Sequence, residues 1–325
     1  MSRFRVLLTD RAWPDAEIER RVLAEVDAEL IEAPRGATAE RLIDLAADVD
    51  AIGTCWAKIP PEALRNAPRC RIVARFGIGL DNIPVETATE LGIVVTNVPD
   101  YCVSEVADHT IGLLLAAARH IAFFHLRTKQ GEYDLLAADT PSRLSHCRLG
   151  LIGFGRIGRA VFERARALGM DVVAHSRSGD PRGTDCPMIG LRALLETSRF
   201  VSLHVPLTDQ TRRMIGREQL SWMRPDAWLI NTSRGALVDT DALEEAVIGG
   251  AIGGAALDVH DPEPPDLSRP LYRAENVIAT PHSAFTSREA LEELRHRAAR
   301  QIADALSGRV PENVVNPSVI PRWRR

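Results

Sequence analysis

Short apolar runs rich in valine and isoleucine alternate with amphipathic helical stretches along most of this 325-residue chain. Helical patterns cover residues 15–29 and 38–48, for example, between the first apolar runs. The strand candidates are FRVLLTD (4–10), AIGTC (51–55), RIVARFG (71–77), GIVVTNV (92–98), RLGLIG (148–153), DVVAHS (171–176), FVSLHVP (200–206), AWLINTS (227–233), IGGAALDV (252–259) and NVIATPH (276–282). Apolar strands separated by helices are typical of parallel sheets covered on both faces. The pattern therefore predicts an α/β fold with two doubly wound parallel-sheet domains.

A glycine-rich segment, GFGRIG, begins only at residue 153, which is late for a chain of this length. A dinucleotide-binding fold needs about 150 residues or more for its two βαβαβ halves. Residues 99–285 meet that need and are predicted to form the dinucleotide-binding domain. Residues 1–98 and 286–325 are then predicted to form a discontinuous second domain, because the final helix can return to the first one.

Composition excludes several classes of protein. The formal net charge of −4 offers no basic field for nucleic acid. No apolar run approaches the roughly 18 residues of a membrane span, and the N-terminal apolar run is too short for a secretory signal. The five cysteines are scattered without a CxxC motif, so neither a disulfide framework nor a metal site is expected. These features predict a cytoplasmic protein that binds neither membrane nor nucleic acid.

The segment GFGRIG follows a strand candidate and opens a helical stretch. Gly153 permits a tight turn, Gly155 lets the backbone approach a pyrophosphate, and Gly158 lets helix and strand pack closely. The pyrophosphate would bind the backbone N–H groups at the helix start, near Arg156 and Ile157. In this strand–turn–helix context, the motif predicts dinucleotide binding.

The end of the next strand carries Ser176, Arg177 and Ser178, where an acidic residue that holds the adenosine ribose would be expected. Two hydroxyls and a guanidinium are donors suited to a 2′-phosphate, which a carboxylate would repel. The prediction favours NADP(H). Asp180 lies close enough along the chain to bind a ribose, so NAD(H) stays open, with Arg177 then a solvent-exposed residue.

Three later strand ends carry further polar side chains: Arg234, Asp258 followed by Glu263 in a proline-rich loop, and His282. An arginine can bind a carboxylate through two parallel hydrogen bonds. A histidine beside a carboxylate keeps its proton to higher pH and can act as a general acid near neutrality. Three such positions at successive strand ends predict a catalytic site for an acidic substrate.

With these motifs the chain resembles the D-isomer-specific 2-hydroxyacid dehydrogenase family. The resemblance runs nearly from end to end and includes features of its phosphoglycerate dehydrogenase and C-terminal-binding-protein branch. The matching segments, in order, are RFGIGLDNI (75–83), NVPDYCVSEVADHTIGLLLA (97–116), GFGRIG (153–158), LHVPLT (203–208), NTSRG (231–235), ALDVHDPEP (256–264) and TPH (280–282). The resemblance implies a Rossmann cofactor domain inserted into a flavodoxin-like substrate domain. The chain departs from that branch at Ser176, and its SRS segment is similar to NADPH-using reductases instead.

The resemblance also implies roles for individual residues. Arg234 would hold the substrate carboxylate and 2-oxo group, and Glu263 would orient and charge His282, the general acid–base. Asp258 would contact the nicotinamide side of the cofactor. Substrate contacts are expected from Arg75, Gly77, Ile78 and Gly79. Apart from the resemblance, Trp56 in TCWAKIP is a candidate to line the substrate pocket, and a core or interface aromatic is the alternative. Further cofactor contacts are expected from His204, Val205, Pro206, Thr211, Thr232, Ser233 and Ser283.

The implied activity is hydride transfer between a nicotinamide cofactor and C2 of a small 2-oxo acid, as in hydroxypyruvate or glyoxylate reductases or phosphoglycerate dehydrogenases. An alternative is a cofactor-sensing, corepressor-like scaffold with secondary dehydrogenase activity. A further alternative is an enzyme of the same architecture that acts on formate or phosphite. Residues 119–146 lack a strand signal and have a mixed pattern, so we expect them to form an arm that crosses to the second subunit of a homodimer.

Overall fold

The computed structural model describes residues 3–323. The chain divides into two compact units, Met1–Tyr101 with Ser287–Arg325, and Cys102–Thr286. The first is discontinuous in sequence, and the second is a single insertion. The unit borders lie three residues and one residue beyond the borders expected from the sequence, at 98/99 and 285/286.

Strands and helices mostly alternate along the described chain, although α5 is followed directly by α6. The strands are β1 (Phe4–Leu8), β2 (Ala28–Glu32), β3 (Ala51–Thr54), β4 (Ile72–Arg75), β5 (Val94–Thr96), β6 (Arg148–Ile152), β7 (Asp171–His175), β8 (Phe200–Leu203), β9 (Trp228–Asn231), β10 (Gly254–Leu257) and β11 (Val277–Ala279). The helices are α1 (Glu17–Ala24), α2 (Ala39–Ala46), α3 (Pro61–Arg65), α4 (Val85–Glu90), α5 (Val103–Ala118), α6 (Ile121–Lys129), α7 (Arg156–Ala167), α8 (Leu191–Thr197), α9 (Arg217–Trp222), α10 (Thr240–Ile248), α11 (Pro270–Arg273) and α12 (Arg288–Leu306).

The first unit contains a parallel sheet of five strands in the order β2-β1-β3-β4-β5. This is the strand order of flavodoxin-like folds, in which the order reverses between β1 and β3. Strand β2 is absent from the sequence prediction, which assigned its first residues to a helix over 15–29. The helix ends early at Ala24, and Asp27 turns the chain with a φ of 55°. The apolar signal of β2 is weak because it is an edge strand with only Leu30 buried.

The second unit contains a parallel sheet of six strands in the order β11-β10-β9-β8-β6-β7. Met188 forms a parallel bridge with Ala174 of β7, in the place of the third strand of a Rossmann sheet. The strand order reverses between β6 and β8, where open α/β sheets bind their ligands. The predicted fold class, two doubly wound parallel-sheet domains, is confirmed.

Neighbouring residues of the strands in the second unit point into cores on opposite faces of the sheet. On β6, for example, Leu149 and Leu151 pack into one core and Ile152 into the other. Burial on both faces explains why the strands read as nearly continuous apolar runs in the sequence.

No single helix among residues 3–323 is long and apolar enough to cross a membrane. Helices α5 and α6 pass that test of length and composition only when they are taken together, and they are bent by 66°.

In the first unit, a buried ion pair joins the first helix of the chain, α1, to the last one, α12. Arg295 on α12 donates through Nε and Nη2 to the two carboxylate oxygens of Glu19 on α1, each at 2.9 Å. Its Nη2 also donates to Asp15 at 2.8 Å. Glu19 has no exposed surface. Removing one partner of such a pair leaves an uncompensated charge in the interior.

We expect Glu19→Ala to lower the free energy of unfolding by about 3–5 kcal/mol, because the Arg295 guanidinium would lose its buried partner. Urea denaturation measures the change. The control is Glu62→Ala, which removes the partner of Arg65 in an exposed pair and should cost less than about 1 kcal/mol. Equal effects of the two substitutions would contradict the role given to the buried pair.

Candidate active site

The glycine loop lies where β6 and β8 end side by side. Gly153 has a φ of 100°, and a Cβ built on it would lie 2.4 Å from the carbonyl oxygen of His204. A Cβ built on Gly158 would lie 2.4 Å from the carbonyl oxygen of Gly153. Around Gly155, by contrast, the space within 4 Å of such a Cβ is open. The open space lies at the N-terminus of α7, which begins at Arg156, so the residues present fit a pyrophosphate.

The neighbouring segment after β8 presents a neutral imidazole. The ring of His204 contacts the hydroxyl of Ser202 through Nε2 at 2.9 Å, and its Nδ1 is buried without a hydrogen-bond partner in the described chain. Burial lowers the pKa of His204 to about 4. The hydroxyl of Thr211 donates to the carbonyl of Pro206 at 2.7 Å, which closes the loop. The loop with His204, Val205 and Pro206 therefore borders the glycine loop without adding a charge.

The turn after β7 holds the residues expected to select the cofactor. The N–H of Gly179 donates to the carbonyl of Ser176 at 3.1 Å, which leaves Arg177 and Ser178 exposed at the tip. The carboxylate of Asp180 accepts a hydrogen bond from the N–H of Arg182 at 2.8 Å and lies 3.4 Å from its Nε. Asp180 is thus engaged by Arg182, whereas Arg177 makes no ion pair within residues 3–323.

The turn after β9 carries Arg234 and is fixed by a buried residue that the sequence analysis did not single out, Asn231. Its side-chain amide donates to the carbonyl of Arg234 at 2.8 Å and accepts from the N–H of Ser233 at 3.1 Å. The guanidinium of Arg234 is half-buried and donates to the carbonyl of Ser233. A polar residue at the end of an apolar strand was the signal that could have identified Asn231.

The hydroxyls of Thr232 and Ser233 are used inside the protein. That of Thr232 is buried and lies 2.9 Å from the hydroxyl of Thr110 on α5. That of Ser233 donates to the carbonyl of Leu203 at 2.8 Å. These hydroxyls belong to residues expected to contact the cofactor, and they attach the Arg234 turn to the neighbouring helix and strand.

Glu263 and His282 form a hydrogen-bonded pair. The Nδ1 atom of His282 lies 2.8 Å from Oε2 of Glu263, and Oε1 accepts the backbone N–H of His260 at 2.8 Å. Burial acts to raise the pKa of Glu263. The hydrogen bond and charge of His282 and the N–H of His260 outweigh burial and hold this pKa below its ordinary value of 4.5. Glu263 is therefore a carboxylate at neutral pH.

The backbone of His282 is in the left-handed region, with a φ of 52°. Asp258 holds this turn. Its carbonyl accepts the N–H of His282 at 2.8 Å, and its carboxylate accepts the N–H groups of Ser283 and Ala284 at 2.9 Å each. The hydroxyl of Thr280 adds a fourth bond at 2.6 Å. The left-handed conformation costs a non-glycine residue about 1–2 kcal/mol, which these bonds offset.

Asp258, expected to contact the nicotinamide side of the cofactor, is hydrogen-bonded within the protein. Asp258 is 0% exposed, and both its oxygens bind protein groups of the turn that carries His282. Ser283, expected at the cofactor, likewise gives its N–H to Asp258. His109 on α5 was missed by the sequence analysis. Its Nε2 lies 3.1 Å from the hydroxyl of Thr280 and 3.5 Å from Asp258.

In the first unit, the loop Gly77–Gly79 is fixed by side chains around it. Arg75 is buried, and its guanidinium donates to the carbonyls of Phe76 and, at 2.9 Å, Gly79. The amide of Asn97 donates to the carbonyl of Ile78 at 2.8 Å. The carbonyls of Ile78 and Gly79 in the loop therefore accept hydrogen bonds from the side chains of Asn97 and Arg75. Arg75, expected as a second contact to the substrate carboxylate, shapes the loop that would make such a contact.

Trp56 lies in the turn after β3. Asp10 accepts the backbone N–H of Trp56 at 2.6 Å and that of Cys55 at 2.9 Å. Trp56 itself is 46% exposed. The carboxylate of Asp10 therefore fixes the turn, and the indole is presented at the surface of this unit.

Comparison with known proteins identifies the family. The sequence model described as "D-isomer specific 2-hydroxyacid dehydrogenase, NAD binding domain" matches residues 111–284. A D-3-phosphoglycerate dehydrogenase of Methanocaldococcus jannaschii is 38% identical over 327 residues, which cover 98% of this chain but only 60% of that relative. A glyoxylate reductase of Thermococcus litoralis is 38% identical over 304 residues, which cover 90% of this chain and 92% of the relative.

Among solved structures, an NADPH-dependent glyoxylate/hydroxypyruvate reductase of Sinorhizobium meliloti in complex with NADP and malonate aligns with a TM-score of 0.85. It is 31% identical, and the alignment covers 100% of this chain and 99% of that one. The resemblance read from the sequence motifs is confirmed. The chain belongs to the D-isomer specific 2-hydroxyacid dehydrogenase family and is an NAD(P)-dependent oxidoreductase.

Proposed function

We propose that this chain catalyses reversible hydride transfer between a nicotinamide cofactor and C2 of a small 2-oxo acid of the glyoxylate and hydroxypyruvate class. The observation that carries the proposal is the 2.8 Å pair of Glu263 and His282. The pair lies in the same unit as the glycine loop. Relatives named as glyoxylate reductase and as glyoxylate/hydroxypyruvate reductase support the substrate class. The relative named as D-3-phosphoglycerate dehydrogenase makes a phosphorylated hydroxypyruvate the second candidate.

In this proposal, cofactor binding is assigned to the unit Cys102–Thr286. The bound nicotinamide supplies or accepts the hydride. Arg234 binds the carboxylate and the 2-oxo group, so that its positive charge stabilises the oxygen as it becomes negative. His282 donates a proton to that oxygen during reduction and removes it during oxidation.

Glu263 acts on His282 rather than on the substrate. As a carboxylate it stabilises the protonated imidazole and accepts a hydrogen bond from Nδ1, so Nε2 is the nitrogen that exchanges the proton with the substrate. The alternative of a corepressor-like sensor has no support from the relatives named above, all of which are named as enzymes. A sensor would also have no need of the acid–base pair. The alternative substrates formate and phosphite have no 2-oxo group for Arg234 to bind.

NADP(H) is proposed as the preferred cofactor. Arg177 is exposed and makes no ion pair within residues 3–323, and the hydroxyls of Ser176 and Ser178 lie 3.5 Å apart on the same turn. Asp180, which kept NAD(H) open, is engaged by Arg182. The exposed donors suit a 2′-phosphate. The NADP-bound structure of the 31% identical relative supports the same choice.

A homodimer is proposed from an apolar surface on the arm formed by residues 119–146. The surface covers residues 121–136 of this arm. Large apolar or aromatic side chains are exposed along it, with Tyr133 97% exposed. They are Ile121, Leu126, Tyr133, Leu135 and Leu136. A cluster of exposed apolar side chains is typical of an interface with another protein chain. The sequence expectation of an arm that crosses between subunits supports a second copy as the occupant.

We expect His282→Asn to lower kcat for 2-oxo acid reduction by about 10²–10⁴, because positioned proton transfer contributes that much to the rate. Its Kd for the cofactor, measured by fluorescence titration, should stay within about twofold. The exposed His296 on α12 provides a matched control, since His296→Asn should leave kcat unchanged. Turnover of His282→Asn near that of the wild type across a panel of 2-oxo acids would refute the proposed role.

Glu263→Gln should lower kcat less than His282→Asn and should change its pH dependence. Reduction requires the protonated imidazole, and loss of the carboxylate makes that form less stable. The decline of the reduction rate with rising pH should therefore begin at a lower pH. Steady-state kinetics between pH 5 and 9 measure the shift. An unchanged profile, or one displaced to higher pH, would count against the orienting role of Glu263.

Arg177→Ala should lower kcat/KM with NADPH by roughly ten- to a hundredfold, since a hydrogen bond to a charged group contributes about 1.5–3 kcal/mol. With NADH the change should be small, because the lost partner is the phosphate alone. Ser176→Asp should move the preference further towards NADH by repelling that phosphate. The control is Arg224→Ala. Arg224 precedes β9 and so lies near the N-terminal ends of the strands, whereas Arg177 follows the C-terminal end of β7. Equal efficiencies with both cofactors, unaltered in Arg177→Ala, would exclude the proposed selectivity.

Light scattering at micromolar concentration should give a mass of twice the 35.7 kDa chain. Placing two charges on the apolar arm, in Leu135→Asp with Leu136→Asp, should shift the protein towards the monomer because buried unpaired carboxylates are unfavourable. Ile248→Asp, at an exposed apolar residue outside the arm, is the control and should stay dimeric. A monomeric wild type, or a double variant as dimeric as the control, would contradict this interface.

A further inference from the structure

His260 lies between β10 and Glu263, in the segment ALDVHDPEP, and has no role in the mechanism proposed above. It is a half-buried residue with hydrogen bonds at its backbone N–H and at both ring nitrogens. These bonds reach three different segments of the chain. A residue with so many partners beside the acid–base pair requires a physical account.

The backbone N–H of His260 binds the carboxylate oxygen of Glu263 that does not contact His282. This N–H donates to Oε1 at 2.8 Å, while Oε2 binds His282. Both oxygens of the carboxylate are therefore hydrogen-bonded. Its orientation towards His282 depends on the position of the His260 peptide.

The ring of His260 reaches the segment that carries His282. Its Nε2 lies 3.0 Å from the carbonyl oxygen of Thr280, two residues before His282. A carbonyl can only accept a hydrogen bond, so Nε2 carries the proton. In the neutral ring, Nδ1 then accepts from the hydroxyl of Tyr272 on α11 at 3.1 Å. Both ring nitrogens are satisfied by this single tautomer.

The charged and titratable groups around His260 come from several elements. Glu263 is on its own loop, and Tyr272 packs edge-on against the ring at 5.4 Å between centroids. Burial raises the pKa of Tyr272, with Arg269 opposing and Glu244 and Glu263 adding to the rise, so its hydroxyl stays protonated as a donor. Thr280 contributes only its carbonyl. The arrangement therefore gives each ring nitrogen of His260 one hydrogen-bond partner.

The carbonyl side of the His260 peptide contacts the turn that carries Arg234. A Cβ built on Gly235 would lie 2.0 Å from both the carbonyl carbon and the carbonyl oxygen of His260. The Arg234 turn therefore packs directly on this peptide, and any side chain at residue 235 would push the two apart. His260 thus contacts the segments that carry Arg234, Glu263 and His282.

We propose that His260 is a positioning residue for the hydride-transfer reaction. Its imidazole ties the loop of Glu263 to the turn of His282 and so fixes the orientation of the general acid relative to the substrate. His260 touches no reacting atom, and it acts through Glu263 and Thr280. Displacement of a reacting group by about 1 Å can cost about a hundredfold in rate, so a lost tie of this kind should affect kcat. The inference rests on the proposed function.

The test compares His260→Phe, His260→Gln and Tyr272→Phe. Phenylalanine keeps the ring that packs against Tyr272 but removes the donor to Thr280. Glutamine places an amide N–H near the position of Nε2 and keeps that donor. We expect kcat of His260→Phe to fall about tenfold, with KM and the cofactor Kd within about twofold. His260→Gln should recover most of the loss, and Tyr272→Phe should stay close to the wild type because the bond to Thr280 remains.

The thermal midpoint of each variant separates folding from positioning. If His260→Phe does not fold, His260→Asn replaces it, since its shorter amide reaches only the Nδ1 position and should lose activity where His260→Gln keeps it. An unchanged kcat in the variant without the donor, an equal loss in His260→Gln, or a loss confined to KM would overturn the proposal. His282→Asn is run in the same assay. Full turnover by His282→Asn would refute the proposed function itself, whereas an inactive His282→Asn beside a fully active His260→Phe would refute only the positioning role.

Discussion

The buried carboxylate of Asp258 is the interaction on which the site depends. Its two oxygens bind the N–H groups of Ser283 and Ala284, and its own carbonyl binds that of His282. These bonds hold His282 in a left-handed conformation that a histidine adopts only at a cost. A carboxylate without exposed surface must be satisfied by such donors. The chain therefore places the buried carboxylate of Asp258 beneath the turn that carries the half-buried His282.

A similar arrangement is present at two other loops. The side chain of the buried Asn231 binds the carbonyl of Arg234 in the turn after β9. In the first unit, the buried Arg75 binds the carbonyl of Gly79 in the loop Gly77–Gly79. In each case a buried polar side chain holds a loop through one of its backbone carbonyls. Rigid support of this kind keeps reacting groups within the narrow geometry that hydride and proton transfer require.

Much of the fold was predictable because its signal is local. Ten of the eleven strands in residues 3–323 coincide with apolar runs, since most strand residues in these parallel sheets are buried. The edge strand β2 was missed because Glu29 and Glu32 interrupt its apolar residues. The glycine loop was predictable for a similar reason. Close approach of two backbones allows only glycine, and a Cβ built on Gly153 or on Gly158 would lie 2.4 Å from a carbonyl oxygen.

By itself the sequence determined the fold class, the family and the placing of Arg234, Glu263 and His282 at strand ends, because parallel strands bring those ends to one edge of a sheet. Only the tertiary structure decided which polar groups bind other groups of the protein. The hydroxyl of Thr232 contacts that of Thr110, 122 positions away, and the exposed carboxylate of Asp180 accepts the N–H of Arg182. Hydrogen-bond partners so distant along the chain, or dependent on the direction of a turn, leave no periodic pattern in the sequence. Their assignment follows from packing alone.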